Sequence, residues 1–188
     1  MNGEKHTRVC PAELAGSLDN SFRKLFQNPR KILEPYIGKG MTVLDLGCGP
    51  GFFSLNIAEM VGDSGRVIAA DLQEGMLEKV NRKIRGKDIE QRIQLHKCQE
   101  DRIGVTENVD FVLAFWMVHE VPEQVQLFRE LKSILKPVGK IYIAEPKFHV
   151  SEKSFKNMID MVEKNGFEIA ERPRVFFSRT VLFTLKKP

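Results

Sequence analysis

Residues 43–51 read VLDLGCGPG: an apolar run containing Asp45 passes directly into glycines at alternate positions, Gly47, Gly49 and Gly51. A strand buried on both faces is apolar throughout, and a loop whose backbone must be approached closely is rich in glycine. Here the two abut, and Phe53, Ile57 and Val61 then recur every four residues, the period of a helix face. A strand, glycine loop and helix in this order restrict the chain to an α/β architecture. They also place the free N–H groups and positive dipole end of the helix beside the loop, where an anionic group is favoured.

The rest of the chain repeats the alternation. Beyond the first run, Met41 to Leu46, apolar β-type runs occupy Arg66 to Ala70, Arg92 to Lys97, Val109 to Phe115 and Lys140 to Ala144. Helical periodicity fills most gaps: Met76, Leu77, Val80 and Ile84; Val125, Phe128, Leu131 and Leu135; Phe155, Met158, Ile159 and Val162. Residues 99–107 are too polar and short to form a helix on pattern alone. Five strands joined mainly by helical crossovers predict a mostly parallel sheet covered on both faces. Phe167 to Phe177 and Thr180 to Lys187 are two further β-rich runs separated by Ser178 and Arg179, which predicts an antiparallel hairpin at one edge, with Pro173 at an edge or bulge.

At 188 residues the chain needs one core, since domains average about 150 residues. The expected division is an N-terminal helical arm over residues 1–40 and a ligand-binding domain over 41–188. The three cysteines, Cys10, Cys48 and Cys98, form neither a disulfide framework nor a zinc pattern. No metal site is expected, because His119 and Glu120 lack the second histidine of HExxH and Pro122 opposes a helix there. The first residues have no apolar signal core and no window approaches the roughly 20 apolar residues of a membrane span, so a cytoplasmic location is expected. The net charge of +4 is spread among acids rather than blocked, which does not favour nucleic acid as a partner.

In an open sheet of this kind, ligands bind where the strands end. The second run stops at Asp71, 20 residues after Gly51, the separation expected of a carboxylate that holds ribose hydroxyls. Two ligand classes use this arrangement. The dinucleotide fingerprint is GxGxxG, whereas this loop is GxGxG and places Phe52 where the third glycine would allow close packing. Asp45 would repel a pyrophosphate and attract a ligand that carries an ammonium and a sulfonium. S-adenosylmethionine is such a ligand, and a nicotinamide dehydrogenase is disfavoured.

VLDLGCGPG, VIAADLQEGMLEKV, FVLAFWMVHEVPE and LKPVGKIYIAEP, in this order, resemble the motifs of the class I S-adenosylmethionine-dependent methyltransferases, in particular their ubiquinone/menaquinone-type small-molecule branch. The resemblance covers Ile32 to Pro146 by motif and the remainder by layout. It implies a single-domain, Rossmann-like three-layer sandwich with seven strands, mostly parallel, and an antiparallel C-terminal hairpin. It further implies that Asp45 lies near the methionine amino group, that Gly47, Cys48 and Gly49 approach the cofactor with their backbone, and that Gly51 opens the helix. Asp71 would hold the ribose, Leu72 would pack on the adenine, and Met76 would lie in the helix that follows. Lys97, Cys98, Gln99 and Glu100 replace the family's Gly-Asp-Ala-like segment, so backbone near Cys98 or the side chain of Gln99 would contact the adenine. Phe115 would face the methionine part.

The sulfonium already activates the methyl group, so the protein has mainly to align a nucleophile and, where needed, take its proton. His119, just past the fourth strand, is the first candidate base because histidine titrates near neutral pH; Glu145, at the end of the fifth strand, is the second. Each has a plain structural alternative, a loop histidine and a hydrogen-bonded carboxylate. The motifs of nucleobase-amine and cytosine-C5 methylation are missing, and arsenite methylation would need Cys48, Cys98 and Cys10 to converge. Phe115, Trp116 and Met117 are read equally as core or as substrate wall, and the arm, with Leu18, Phe22, Leu25, Phe26, Ile32 and Leu33, equally as lid or as a helix on the sheet's flank. The expected partner is a small, apolar or aromatic acceptor, with oligomeric state open. The alternative is a catalytically silent adenosylmethionine-binding module or sensor.

Overall fold

The computed structural model describes residues 27–187. Seven strands form one sheet: β1 (Thr42–Leu46), β2 (Arg66–Asp71), β3 (Ile93–Lys97), β4 (Val109–Phe115), β5 (Leu135–Pro146), β6 (Phe167–Glu171) and β7 (Ser178–Leu185). Their order is β3-β2-β1-β4-β5-β7-β6. The first five strands pair in parallel, and β7 runs antiparallel between β5 and β6. Among the described residues five α-helices accompany them: α1 (Pro29–Leu33), α2 (Ser54–Val61), α3 (Glu74–Ile84), α4 (Gln124–Ile134) and α5 (Glu152–Lys164).

Because successive strand residues point to opposite faces, each central strand feeds two cores. Val43, Val67, Phe111 and Tyr142 join α1, α2 and α3 through Leu33, Ile57, Val61, Leu77 and Val80. Leu44, Ile68, Val112 and Ile141 join α4 and α5 through Phe128, Leu131, Phe155 and Val162. The result is the expected three-layer sandwich. Strand order reverses between β1 and β4, so the loops that follow these two strands face each other at the carboxyl edge.

Three local expectations are corrected. The β6–β7 hairpin does not turn at Ser178 and Arg179: both lie in β7, and residues 172–177 make the connection. Pro173 has no N–H for a ladder, the β6–β7 register already shifts between Ile169 and Glu171, and Phe177 takes a left-handed φ of 58°, so pairing stops at Glu171. Leu135 is not the last helical core residue but the first of β5; Lys136 precedes Pro137, which disfavours helical backbone. Val125 is exposed, and α4 turns Leu127 and Ile134 inward with Phe128 and Leu131. The stretch between β3 and β4 contains no helix.

Within the arm, α1 lies on the flank of the sheet, with Leu33 fully buried and the Tyr36 ring 6.2 Å from Phe111 and 5.6 Å from Tyr142. Leu18, Phe22, Leu25 and Phe26, which would form a lid, lie outside the described residues.

Candidate active site

The β1–α2 loop is built on three left-handed glycines, with φ of 67° at Gly47, 53° at Gly49 and 84° at Gly51. They differ in what a side chain would meet. A Cβ on Gly47 would fall 2.8 Å from the Met117 Cβ across the switch in strand order, and one on Gly51 would fall 2.8 Å from Leu55 Cδ1 and 3.1 Å from Val80 Cγ2. A Cβ on Gly49 would meet nothing within 4 Å. Gly47 and Gly51 therefore serve close packing, whereas Gly49 borders open space at the point where a ligand would approach the backbone.

Asp71 closes the loop from β2. Its Oδ2 accepts the Gly49 N–H at 2.9 Å and its Oδ1 accepts the Gln73 N–H at 2.8 Å. Burial pushes the Asp71 carboxyl up, against the opposing pull of these two N–H groups and of the Lys97 ammonium. The loop is also tied to the sheet by Cys48 N–H to the Ala70 carbonyl, 3.0 Å. Asp45 is 2% exposed and its Oδ2 accepts the Ser54 hydroxyl at 2.5 Å, at the first residue of α2. Sequence reasoning passed over Ser54, although a hydroxyl in the first turn after such a loop is a signal for such a partner.

Cys48 and Cys98 are both buried thiols. Burial raises Cys48 well above its ordinary value, and the charges of Asp45 and Asp71 add to this. Burial and Asp71 likewise hold Cys98 at about 12, so neither is a ready thiolate. Cys98 N–H continues the β2–β3 ladder to the Asp71 carbonyl at 2.9 Å. Gln99 is exposed, and its side-chain oxygen accepts Arg102 Nε at 2.8 Å. Leu72 is half-buried and its carbonyl accepts Lys97 Nζ; Met76 is buried at the start of α3.

At the end of β4, Phe115 is buried and its ring lies 4.5 Å from Phe53, which makes it core beneath the loop. Trp116 and Met117 are half-buried. Trp116 sits at φ 62°, a conformation that a bulky residue seldom adopts and that concentrates at functional sites. It is held there by its N–H to the Ala144 carbonyl, 2.7 Å, and by Nε1–H to Ser178 Oγ, 2.9 Å. Phe148 meets the Trp116 ring edge-on at 5.5 Å, and its ring lies 4.9 Å from His149.

His119 and Glu145 meet. Val118–Glu120 form a single 3₁₀ turn after β4, and β5 ends beside it. Glu145, 2% exposed, accepts the Val118 N–H at 2.9 Å with Oε1 and binds His119 Nδ1 with Oε2. Burial alone would pull His119 down, but the hydrogen bond and charge of Glu145, with help from Glu120, leave it above its ordinary 6.5. His149 stacks on it, 6.0 Å between ring centres and 13° between planes. Phe148 and His149, on the loop after β5, were not foreseen.

The loop that borders open space at Gly49, the Asp71 carboxylate that braces it and the absence of a third dinucleotide glycine all fit adenosylmethionine. A family model described as a methyltransferase domain matches residues 37–178. The demethylmenaquinone methyltransferase of Lactobacillus johnsonii is 34% identical over 127 residues, 67% of this chain and 50% of that protein. That of Symbiobacterium thermophilum is 28% identical over 162 residues, 80% of this chain and 64% of that protein. The chain thus spans about half to two thirds of the length of these curated relatives. The crystal structure of a SAM-dependent methyltransferase from Aquifex aeolicus superposes with a TM-score of 0.83 at 26% identity, covering 95% of this chain and all of that one. The chain belongs to the methyltransferase-domain family of class I S-adenosylmethionine-dependent enzymes.

Proposed function

We propose that this chain transfers a methyl group from adenosylmethionine to a planar, apolar small molecule of the hydroxylated aromatic type, with His119 as the base. Adenosylmethionine supplies the electrophilic methyl group. Asp71, Gly47, Gly49 and the backbone about Cys48 would hold it, and Asp45, braced by Ser54, would supply the negative charge beneath its methionine end.

The observation that carries the reading is the His119–Glu145 pair beside an aromatic wall at the same sheet edge as the glycine loop. Glu145 fixes the ring through Nδ1, leaving Nε2 as the nitrogen that exchanges a proton with an acceptor hydroxyl. Removing that proton raises electron density on the attached ring, which makes an oxygen or a ring carbon nucleophilic. Trp116, locked by Ala144 and Ser178, and Phe148 against it offer ring faces on which a planar molecule can stack. The demethylmenaquinone methyltransferases to which the chain is similar support such an acceptor.

The test is adenosylhomocysteine release by the full chain with reduced naphthoquinones and substituted phenols. Turnover with one or more of these supports the reading. Tight adenosylmethionine binding with no turnover across the panel would instead make the chain a silent binding module.

A further inference from the structure

The two loops beyond the proposed acceptor wall combine exposed rings with cations. Residues 147–150 read KFHV and residues 172–177 read RPRVFF: three phenylalanines, three cations and no acid. Phe148 is 65% exposed and Phe177 57% exposed, with Phe176 half-exposed beside them. Lys147, Arg172 and Arg174 are exposed among these rings. The Lys147 N–H donates to the Phe177 carbonyl at 2.9 Å, which fastens the loops together as one lip. The lip stands at the carboxyl end of β5 and the start of β7, two residues beyond Glu145, and Ser178 at its base holds the Trp116 indole. Phe177 is kept at φ 58°, so its outward ring is maintained against backbone preference.

We propose that this lip seats on an anionic lipid surface. Phenylalanine has no polar tip, so its exposure to water is uncompensated, whereas at the headgroup boundary the rings enter the acyl region while lysine and arginine meet the phosphates. Charge complementarity selects the anionic surface: each cation near such a surface raises partition about fivefold. A single-stranded nucleic acid would also meet cations and rings, but it needs open ring faces for its bases. Here Phe176 and Phe177 pack on each other, 4.1 Å between ring centres and 56° between planes, which leaves no continuous platform for successive bases. Docking in this orientation turns the acceptor wall toward the lipid. The inference goes beyond the methyl-transfer reading and does not depend on the identity of the acceptor.

The test is sedimentation of the full chain with vesicles of phosphatidylcholine alone and of phosphatidylcholine with phosphatidylglycerol, without acceptor. Binding is expected only to the anionic vesicles, to weaken with salt, and to fall about 25-fold or more in the double variant R172E/R174E, as the per-cation contribution implies. Phe177→Asn, which tolerates the left-handed backbone, should fall similarly, while adenosylmethionine affinity, measured by calorimetry on the same preparations, stays unchanged and certifies the fold. Failure to partition, equal binding by the variants, or tighter binding to a single-stranded oligonucleotide than to the vesicles would overturn the proposal. None of these outcomes bears on methyl transfer, which is assayed separately.

Discussion

His119 Nδ1 is bound by Glu145 Oε2, while the other oxygen of the same buried carboxylate takes the Val118 N–H. A histidine so held above 6.5 is cationic in weakly acidic solution and can accept a proton only above its raised value. The methyl-transfer rate should therefore rise with pH through a midpoint above 6.5. Glu145→Gln should move that midpoint toward acid, because the charge that raises it is gone; a pH–rate profile with the same midpoint in both proteins would contradict this role.

The same bond has a stability consequence. Because the folded pKa of His119 is raised, its contribution is complete below the unfolded value near 6.5 and fades as pH climbs through the folded one. Glu145→Gln should thus lose more stability relative to the parent at about pH 6 than at about pH 9. Denaturant melts at the two pH values read the difference.

The three loop glycines should fail in different ways. Gly51→Ala must displace Leu55 or Val80, which costs about 1–3 kcal/mol of stability, on top of the left-handed penalty of about 1–2 kcal/mol. Gly49→Ala meets no protein atom and costs only the left-handed penalty, about 1–2 kcal/mol. It nonetheless places a methyl group in the space at the loop, so adenosylmethionine affinity should drop by at least about tenfold, near 1.4 kcal/mol. Melting and calorimetry on the pair separate packing from binding.

Asp71→Asn leaves one oxygen where Gly49 and Gln73 need two. One N–H is then unsatisfied, at a cost of about 1–3 kcal/mol, and the loop loses its brace. Cofactor affinity should fall more than global stability, as parallel titration and melting curves would reveal.

Tyr142 carries a buried hydroxyl with no hydrogen-bond partner among the described residues. Tyr142→Phe removes that burden without altering ring packing, so stability should be unchanged or raised by up to about 1 kcal/mol. A loss beyond that would mean the hydroxyl has a partner, such as an ordered water.

Legibility tracked locality. VLDLGCGPG announced its own loop because left-handed glycines after an apolar strand leave few conformations; Asp71 was visible as the end of the second strand, but its bonds to the Gly49 and Gln73 N–H groups were not. The resemblance of four ordered motifs carried the sheet to seven strands. His119 and Glu145 were each visible as strand-end residues, but their bond spans 26 positions and exists only because β4 and β5 pair in parallel. Met117 beneath Gly47 depends in the same way on β1 beside β4. The hairpin was misplaced since Val175, Phe176 and Phe177 look like strand while Pro173 and the backbone of Phe177 make a loop. Phe115 read equally as core or wall, and its burial against Phe53 is decided by register, not by composition.

The central claim is that a carboxylate-held histidine at the β4 end takes the acceptor's proton for transfer from adenosylmethionine. Single-turnover transfer of labelled methyl to a reduced naphthoquinone, compared between the parent and His119→Ala, tests it most directly. The account predicts a rate lowered by about a hundredfold or more with cofactor affinity unchanged. An undiminished rate in His119→Ala would contradict it.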